Sequence, residues 1–321
     1  MTVEIPEKVF VAGHQGLVGS AIVRRLNLRG NTHVLAVPRG DLDLRNQNDV
    51  ENWFQSHCPD SVIVAAGTVG GIKANSTRPA EFIYDNMMIH MNVIEASRKY
   101  GVRKLLYLSS GCIYPRESPQ PLRENYLMNG KMEETNIWYG IAKLAGIKAC
   151  QAYRRQYGVD FISAIPATIY GPGDNFDPEQ SHVIPGMIHK MYEAVHQGAD
   201  SVKLWGSGRP RREFLYADDL ADAAVFLLEH YSEGETINIG TGTDLSIFEL
   251  ASSIRDQIAP LLQLEFDASM PDGMYQKLLD SSRINSKGWK SSVSLEDGLQ
   301  RTIDWYTDRR QRGGYIRGSI R

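Results

Sequence analysis

Three glycines spaced three residues apart near the start of the chain constrain its fold more than any other feature. Gly13, Gly16 and Gly19 follow the short apolar run 9–12 and open a stretch, 17–26, that reads as a helix. In such a strand–turn–helix unit, glycine allows the tight turn, the close approach of the backbone to a phosphate and the packing of the helix on the strand. The helix N-terminus then directs its free amides at the phosphates. The pattern predicts a site for the pyrophosphate of a dinucleotide.

The end of the second predicted strand, 33–37, indicates which dinucleotide is bound. A site for NAD usually carries a carboxylate here, whereas an arginine accommodates the 2′-phosphate of NADP. Arg39 follows the strand almost at once, and Asp41 and Asp43 come slightly later. Arg39 therefore favours NADPH/NADP+, and the alternative is an arginine exposed on a loop.

The overall composition argues against several classes of protein. With 321 residues and a net charge of −3, the chain is long enough for a large core and lacks the basic excess of nucleic-acid or anionic-membrane binders. No apolar run approaches the roughly 18 residues of a membrane span, and the first residues lack the features of a signal peptide. The cysteines, Cys58, Cys112 and Cys150, have neither disulfide-framework nor metal-ligand spacing. We expect a reduced, cytoplasmic protein without metal, nucleic acid or membrane partners.

The alternation of strands and helices predicts the fold class. Short apolar strands at 61–66 and 104–109 are separated by helical stretches such as 82–100. This alternation is typical of an α/β protein with a Rossmann-type, doubly wound parallel sheet. We expect an NADP-binding Rossmann domain at 1–168, to which later segments return. Residues 169–321 would mainly form a smaller C-terminal α/β substrate-binding domain.

Tyr139 and Lys143 form a candidate catalytic pair. They lie four residues apart, so both side chains would emerge from one face of a helix. A tyrosine is a poor acid or base at neutral pH because its pKa is about 10, and a neighbouring ammonium group would lower that pKa. Taken alone, the spacing also fits an ordinary helix surface. Ser110, at the end of a predicted strand, is the third member of the group.

With these residues the chain resembles the extended short-chain dehydrogenase/reductase family, and more closely the GDP-L-fucose synthase family within it. The resemblance covers nearly the whole chain, from about Val9 to Tyr306, and several of its motifs are absent from the wider superfamily. These motifs are Ala-Gly-His at 12–14, Val-Gly-Gly-Ile at 69–72, Ser-Gly-Cys-Ile-Tyr-Pro at 110–115, Tyr-Gly-Pro-Gly-Asp-Asn-Phe at 170–176, Ser-His-Val-Ile-Pro at 181–185, Trp-Gly-Ser-Gly at 205–208, Arg-Arg-Glu-Phe at 211–214 and Phe-Asp-Ala-Ser at 266–269.

The resemblance implies an NADPH-dependent 3,5-epimerase/4-reductase that converts GDP-4-keto-6-deoxy-D-mannose to GDP-L-fucose. Tyr139 would protonate the C4 oxygen during reduction, and Ser110 would polarise the ketone. Lys143 would tune Tyr139 and hold the nicotinamide ribose. Cys112 would be the base and His182 the acid that invert C3 and C5. Without the resemblance, the cysteine reads as a small buried hydrophobe and the histidine as a hydrogen-bonding loop residue.

A cluster of charge beside Trp205 suggests where the nucleotide sugar binds. Three arginines follow Trp205 within eight residues, and guanidinium groups can donate paired hydrogen bonds to a diphosphate. The resemblance favours Arg212 for the pyrophosphate and puts Lys277 near the substrate. Arg209 and Arg211 fit exposed loop charges equally well. Trp205 is either a core anchor or a wall of the substrate site.

Three departures from the family pattern leave the identity of the sugar substrate open. Gln15 stands where an arginine is common, Pro-Ala-Thr at 166–168 replaces Pro-Thr-Asn, and Lys190 occupies a position where bacterial members often have a nucleotide-binding arginine. These departures leave room for a related GDP-4-keto sugar, such as a GDP-linked heptose or another 4-keto-6-deoxy sugar.

Two other functions remain open on the same fold. One is an NAD-dependent NDP-sugar 4-epimerase or dehydratase, against which Arg39, Cys112 and His182 argue together. The other is a noncatalytic NADP sensor or scaffold, since fold does not determine function. The intact catalytic group of tyrosine, lysine and serine argues against a sensor.

The last two expectations concern assembly and the C-terminus. The resemblance implies a homodimer that pairs the helical segments 82–100 and 139–157. From residue 308 onwards the chain holds five arginines and several glycines. This composition predicts a mobile, solvated tail without an assigned function.

Overall fold

The computed structural model describes residues 8–30, 32–270 and 272–317. In these ranges the strands are β1 (Lys8–Ala12), β2 (His33–Leu35), β3 (Ser61–Val64), β4 (Lys104–Leu108), β5 (Asp160–Pro166), β6 (Thr168–Tyr170), β7 (Ser201–Trp205), β8 (Arg211–Arg212), β9 (Phe214–Tyr216), β10 (Ile237–Ile239), β11 (Leu245–Ser246), β12 (Gln263–Asp267) and β13 (Gln276–Lys277). The α-helices are α1 (Leu17–Asn27), α2 (Gln47–His57), α3 (Ile72–Thr77), α4 (Pro79–Lys99), α5 (Ile137–Tyr157), α6 (Val183–His196), α7 (Ala217–His230), α8 (Ile247–Ile258), α9 (Ser282–Ser286) and α10 (Leu295–Gln311).

A six-stranded parallel sheet organises the first part of the chain. Its strand order is β10-β5-β4-β3-β1-β2, so the chain winds outward in one direction from β1 to β2 and in the other from β3 onward. The predicted fold class is confirmed. In such a sheet a ligand binds at the carboxyl ends of the strands, where the direction of winding reverses. That point lies between β1 and β3.

Alternate residues of the strands fill two cores, one on each face of the sheet. On one face Val9 and Val11 of β1 pack with residues of α1 and α7. On the other face Phe10 and Ala12 pack with residues of α2, α4 and α5. All of β3 and β4 is buried, which explains why those strands read as continuous apolar runs.

A third core stabilises the later part of the chain. It joins α6, α8 and α10 to β7 through buried side chains such as Ile188, Leu204, Ile254 and Tyr306. Three small sheets accompany it: β12 with β7, β6 with β9, and β8 between β11 and β13. Strand β6, which pairs with β9, follows β5 after one residue. This region therefore begins at the carboxyl end of the main sheet.

The C-terminal segment differs from the predicted solvated tail. Helix α10 continues to Gln311, and Ile316 is only 2% exposed because it packs into the third core. The backbone N–H of Phe176 donates a 2.9 Å hydrogen bond to the carbonyl oxygen of Arg317. Residues 308–313 are exposed, as predicted, but the helix through Gln311 and the buried Ile316 contradict a mobile tail. Residues 318–321 lie outside the described ranges.

None of the helices in the described ranges is long and apolar enough to cross a membrane. All three cysteines are free thiols, with Cys58 exposed and the other two buried.

Candidate active site

One large cleft runs along the carboxyl ends of the parallel strands. It has a volume of about 1280 Å³, larger than the upper end of the usual range for a single small ligand, about 1000 Å³. Its floor is formed by the residues that directly follow β1, β3, β4 and β5. Other lining residues come from α6, the end of β7 and the C-terminal segment. The cleft thus lies at the predicted switch point and has space for a cofactor and a second ligand.

The glycine turn after β1 has the shape that a pyrophosphate site requires. Gly13 has a φ of +89°, and a β-carbon there would lie 2.7 Å from the backbone of Ala66. A β-carbon at Gly19 would lie 2.1 Å from the carbonyl oxygen of Gly13. Gly16 caps α1 and lines the cleft, so the first amides of the helix lie beside it. The turn therefore fits a dinucleotide, as the glycine spacing predicts.

The loop after β2 brings positive charge to the far end of the cleft. Asp43 is held by Arg45, whose Nη2 lies 2.7 Å from the carboxylate and whose hydrogen bonds lower the pKa of Asp43 to about 2. Arg45 is also paired with Asp85 at 3.2 Å. Arg39 lines the cleft, so its guanidinium can meet a bound phosphate while the neighbouring carboxylate is already engaged.

Tyr139 and Lys143 share one face of α5, as predicted, and both line the cleft. The Nζ atom of Lys143 donates a 2.9 Å hydrogen bond to the carbonyl oxygen of Leu108 and lies 5.8 Å from the centre of the Tyr139 ring. Burial lowers the pKa of Lys143 to about 8. Burial raises the pKa of Tyr139, and a hydrogen bond with Ser110 opposes that rise. The expected lowering of the tyrosine pKa is therefore wrong here, and Tyr139 is a protonated phenol suited to donating a proton.

Ser110 and Cys112 follow β4 directly. The Ser110 hydroxyl oxygen accepts a 3.5 Å hydrogen bond from the backbone N–H of Cys112 and caps the 3-10 turn Gly111–Ile113. Cys112 is 7% exposed, and burial raises the pKa of its thiol. The positive charges of Lys277 and Lys143 oppose that rise. Cys112 is thus a largely buried group, but it lines the cleft with two cations nearby.

His182 reaches the cleft from α6, outside the main sheet. It is the N-terminal cap residue of α6 and its side chain is exposed. No hydrogen bond joins its ring to another residue in the described ranges, although it lines the same cleft as Cys112 and Tyr139. The structure therefore brings all five predicted catalytic residues to one cavity, with the histidine contributed from a different side than the strand ends.

The residues predicted to bind the nucleotide sugar line the outer part of the cleft. Trp205 is 51% exposed there, so the core-anchor alternative is wrong. The Nζ atom of Lys190 lies 5.1 Å from the centre of the Trp205 ring. Arg212 also lines the cleft, and its Nη1 donates a 2.8 Å hydrogen bond to the carbonyl oxygen of Arg211.

Of the other basic residues considered for binding the nucleotide sugar, some line the cleft and some do not. Arg211 is paired with Asp244 at 2.9 Å, and neither Arg211 nor Arg209 lines the cleft. Lys277 does line it. All three family departures, Gln15, the segment 166–168 and Lys190, lie on its lining, where they can affect ligand binding.

Sequence reasoning did not assign a role to two residues that line the cleft. Asp174 is 4% exposed and lies in the quoted motif 170–176, where its charge in a glycine-rich loop was an available signal. Arg317 lines the cleft from the segment that was predicted to be solvated. In the described ranges, no cluster of three or more His, Cys, Asp or Glu side chains could hold a metal ion.

Comparison with known proteins shows the family to which the chain belongs. Residues 9–240 match the NAD dependent epimerase/dehydratase family. A GDP-L-fucose synthase of Arabidopsis thaliana is 52% identical over 299 residues, which cover 93% of each chain.

Two solved structures have the same fold over almost the whole length. A GDP-6-OMe-4-keto-L-xylo-heptose reductase from C. jejuni has a TM-score of 0.90 and 34% identity, covering 96% of this chain and 100% of its own. A GDP-L-fucose synthetase from Naegleria fowleri bound to NADP has a TM-score of 0.88 and 26% identity, covering 97% of each chain. The chain belongs to the NAD dependent epimerase/dehydratase family, and within it to the GDP-L-fucose synthase family whose motifs it carries.

Proposed function

We propose that the chain is an NADPH-dependent 3,5-epimerase/4-reductase that converts GDP-4-keto-6-deoxy-D-mannose to GDP-L-fucose. The observation that carries this proposal is the shared cleft. It combines a reductase group of Ser110, Tyr139 and Lys143, at the ends of β4 and on α5, with Cys112 and with His182, which comes from the separate helix α6. A plain reductase needs only the first group, whereas inversion of a carbon needs a base and an acid on opposite sides of the sugar.

The glycine turn and Arg39 would hold the cofactor. The first-turn amides of α1 lie beside the pyrophosphate position, and Arg39 would meet the 2′-phosphate that distinguishes NADP from NAD. Lys143, which lines the cleft, would hydrogen-bond the nicotinamide ribose. When bound, NADPH supplies the hydride that reduces C4. The NADP bound to the Naegleria fowleri relative supports the choice of cofactor.

Four residues of the outer cleft would bind the GDP-sugar. Arg212 offers a planar guanidinium to the pyrophosphate. The exposed ring of Trp205 and the ammonium of Lys190 form a wall suited to an aromatic base and its phosphates. Lys277 packs next to Gly111, one residue before Cys112, and would bind the sugar end of the substrate.

Epimerisation would proceed from the acidity of the carbons next to the ketone. Cys112, as thiolate, removes the proton from C3 or C5, and the electron pair of that C–H bond moves onto the C4 oxygen. Ser110 and Tyr139 hydrogen-bond this oxygen and stabilise its negative charge. His182 then donates a proton to the same carbon from the opposite side of the sugar, which inverts it.

Reduction follows in the same position. Tyr139 donates its phenolic proton to the C4 oxygen as C4 receives the hydride. Because burial raises the tyrosine pKa, the phenol retains this proton until the oxygen becomes basic. Protonated Lys143 stabilises the phenolate that remains.

Assembly, domain division and location complete the proposal. The exposed aromatic and aliphatic side chains of α4 and α5, Tyr84, Trp138, Ile141 and Tyr157, support a homodimer that pairs these helices. The separate third core supports a division near residue 168 into a cofactor-binding part and a smaller substrate-binding part. The free thiols fit a reducing compartment such as the cytoplasm.

A second candidate is reduction of a GDP-linked 4-keto heptose. The C. jejuni heptose reductase, with its TM-score of 0.90, supports it, as do Gln15, Thr168 and Lys190 in the cleft lining. An NAD-dependent 4-epimerase would need no added reductant, and Arg39 argues against it.

Turnover of GDP-4-keto-6-deoxy-D-mannose with NADPH in deuterated water tests the proposal. NADPH loss and deuterium at C3 and C5 are measured together, with Tyr139→Phe as the control. We expect NADPH oxidation with deuterium at both carbons, and neither reduction nor product with Tyr139→Phe. Oxidation without deuterium would identify a simple 4-reductase. Absence of turnover on this sugar but activity on a GDP-4-keto heptose would favour the second candidate.

A further inference from the structure

A buried carboxylate without a full set of partners lies in the loop that follows β6. Asp174 is 4% exposed, and its Oδ1 accepts a 2.7 Å hydrogen bond from the backbone N–H of Asn175. Its Oδ2 is buried and has no hydrogen-bond partner among the described residues. Burying an unpartnered charged oxygen is costly, so its retention in a cleft requires a reason.

Two basic residues, His182 and Arg317, line the same cavity as this carboxylate. Burial raises the pKa of Asp174, and the charges of His182 and Arg317 oppose that rise. The hydrogen bond from Phe176 to Arg317 ties the C-terminal segment to the loop that carries Asp174.

We propose that Asp174 is a positioning residue for His182. Its free oxygen accepts a hydrogen bond from one ring N–H of the imidazolium and directs the other N–H towards the sugar carbon. The exposed ring at the start of α6 would otherwise have no fixed orientation. This inference rests on the proposed role of His182 as the acid in epimerisation. In that step the proton passes from the imidazolium to carbon, and the neutral ring stays hydrogen-bonded to Asp174.

Arg317 has a supporting part in this arrangement. Its charge favours the ionised form of Asp174, which is the form that can orient the imidazolium. The C-terminal segment would thus contribute to epimerisation through Asp174.

Asp174→Asn separates this role from a structural one. The amide keeps an oxygen that can accept from the Asn175 N–H, but it removes the negative charge. We expect the rate of formation of C3/C5-inverted product to fall about tenfold. Exchange of deuterium at the same carbons persists, because Cys112 can still remove and return a proton on its own side. In a double-mutant cycle, Asp174→Asn adds no further loss to His182→Gln.

Matched variants make the outcomes distinguishable. Asp177 lies in the same loop but does not line the cleft, and its carboxylate accepts hydrogen bonds from the backbone N–H groups of Glu179 and Gln180. Asp177→Asn should therefore invert the sugar at the wild-type rate. Arg317→Gln should lower inversion about threefold, without effect in the Asp174→Asn background, and Arg312→Gln should not change it.

Two contrary results carry different meanings. If His182→Gln inverts the sugar like wild type, the proposed role of His182 fails and the inference about Asp174 falls with it. If His182→Gln loses inversion while Asp174→Asn retains it, or if the two losses multiply, only the inference about Asp174 is overturned. Retention of NADPH oxidation by both single variants, on sugar that has not been inverted, shows that each protein is folded.

Discussion

Lys277 packs against Gly111 and brings its positive charge towards the thiol of Cys112. The Cδ atom of Lys277 is 3.6 Å from the position of a β-carbon on Gly111. Burial raises the pKa of Cys112, and among the groups that oppose it the charge of Lys277 is the largest. Burial also lowers the pKa of Lys277, so the two groups compete for one proton more evenly than they would in water. The charge of Lys277 therefore favours the thiolate of Cys112 against the effect of burial.

Replacing Lys277 should make Cys112 less reactive. In Lys277→Met the lost positive charge lets the thiol pKa rise further, so the thiolate fraction at a given pH falls. We expect alkylation of Cys112 by iodoacetamide at about pH 8 to slow about tenfold. Mass spectrometry of the Cys112 peptide measures the rate, and the exposed thiol of Cys58 serves as an internal reference.

Lys287→Met is the matched control for that experiment. Lys287 pairs with Glu233 on the surface and does not line the cleft. Its loss should leave the alkylation rate of Cys112 unchanged. An unchanged rate in Lys277→Met would contradict the electrostatic role of Lys277.

The reduction step should lose rate as the pH rises through about 8. Burial lowers the pKa of Lys143 to about 8, so its stabilising charge is present below that pH and is lost above it. Tyr139 stays protonated over this range because burial raises its pKa, and it adds no second decline. The measurement is kcat for NADPH oxidation between about pH 6 and 10. Lys148→Met, an exposed lysine on the same helix, should keep the profile, and a flat wild-type profile would contradict the prediction.

Arg39 should determine the preference for NADPH over NADH. Arg39→Gln removes a charge-assisted contact with the 2′-phosphate, a type of bond that contributes about 1.5–3 kcal/mol. We expect kcat/KM for NADPH to fall roughly 10- to 100-fold and that for NADH to change little. Arg103→Gln, an exposed arginine away from the cleft, is the control. Equal losses with both cofactors would show that Arg39 acts on the fold or on the shared part of the dinucleotide.

The parts of the site that the sequence predicts well are those made by local geometry. The turn around Gly13 needs glycine because a β-carbon there would lie less than 3 Å from backbone atoms. The regular spacing of the glycines in the sequence reveals this requirement. Tyr139 and Lys143 share a helical face through their four-residue separation alone. Both relationships span only a few residues, so no knowledge of distant packing is needed.

The parts that the sequence predicts poorly depend on contacts between distant segments. The pKa of Tyr139 follows from its burial in the assembled cleft, which outweighs the neighbouring lysine expected from spacing. Asp174, His182 and Arg317 line one cavity only because α6 and the C-terminal segment fold next to the loop after β6. The arginines and glycines after residue 308 predict a solvated segment. Composition alone does not show that Ile316, among these polar residues, is buried in the third core.

The C-terminal segment should contribute measurably to stability. Ile316 is 2% exposed in the third core, so Ile316→Ala removes buried methyl and methylene groups and leaves a cavity. We expect the free energy of unfolding to fall by about 2–5 kcal/mol, measured by chemical denaturation of the full chain. Leu261→Ala truncates an aliphatic side chain that is 95% exposed, and it should change the free energy by less than about 0.5 kcal/mol. If both variants unfold at the same denaturant concentration as wild type, the segment does not pack in solution as it does here, and the support that Arg317 gives to Asp174 fails with it.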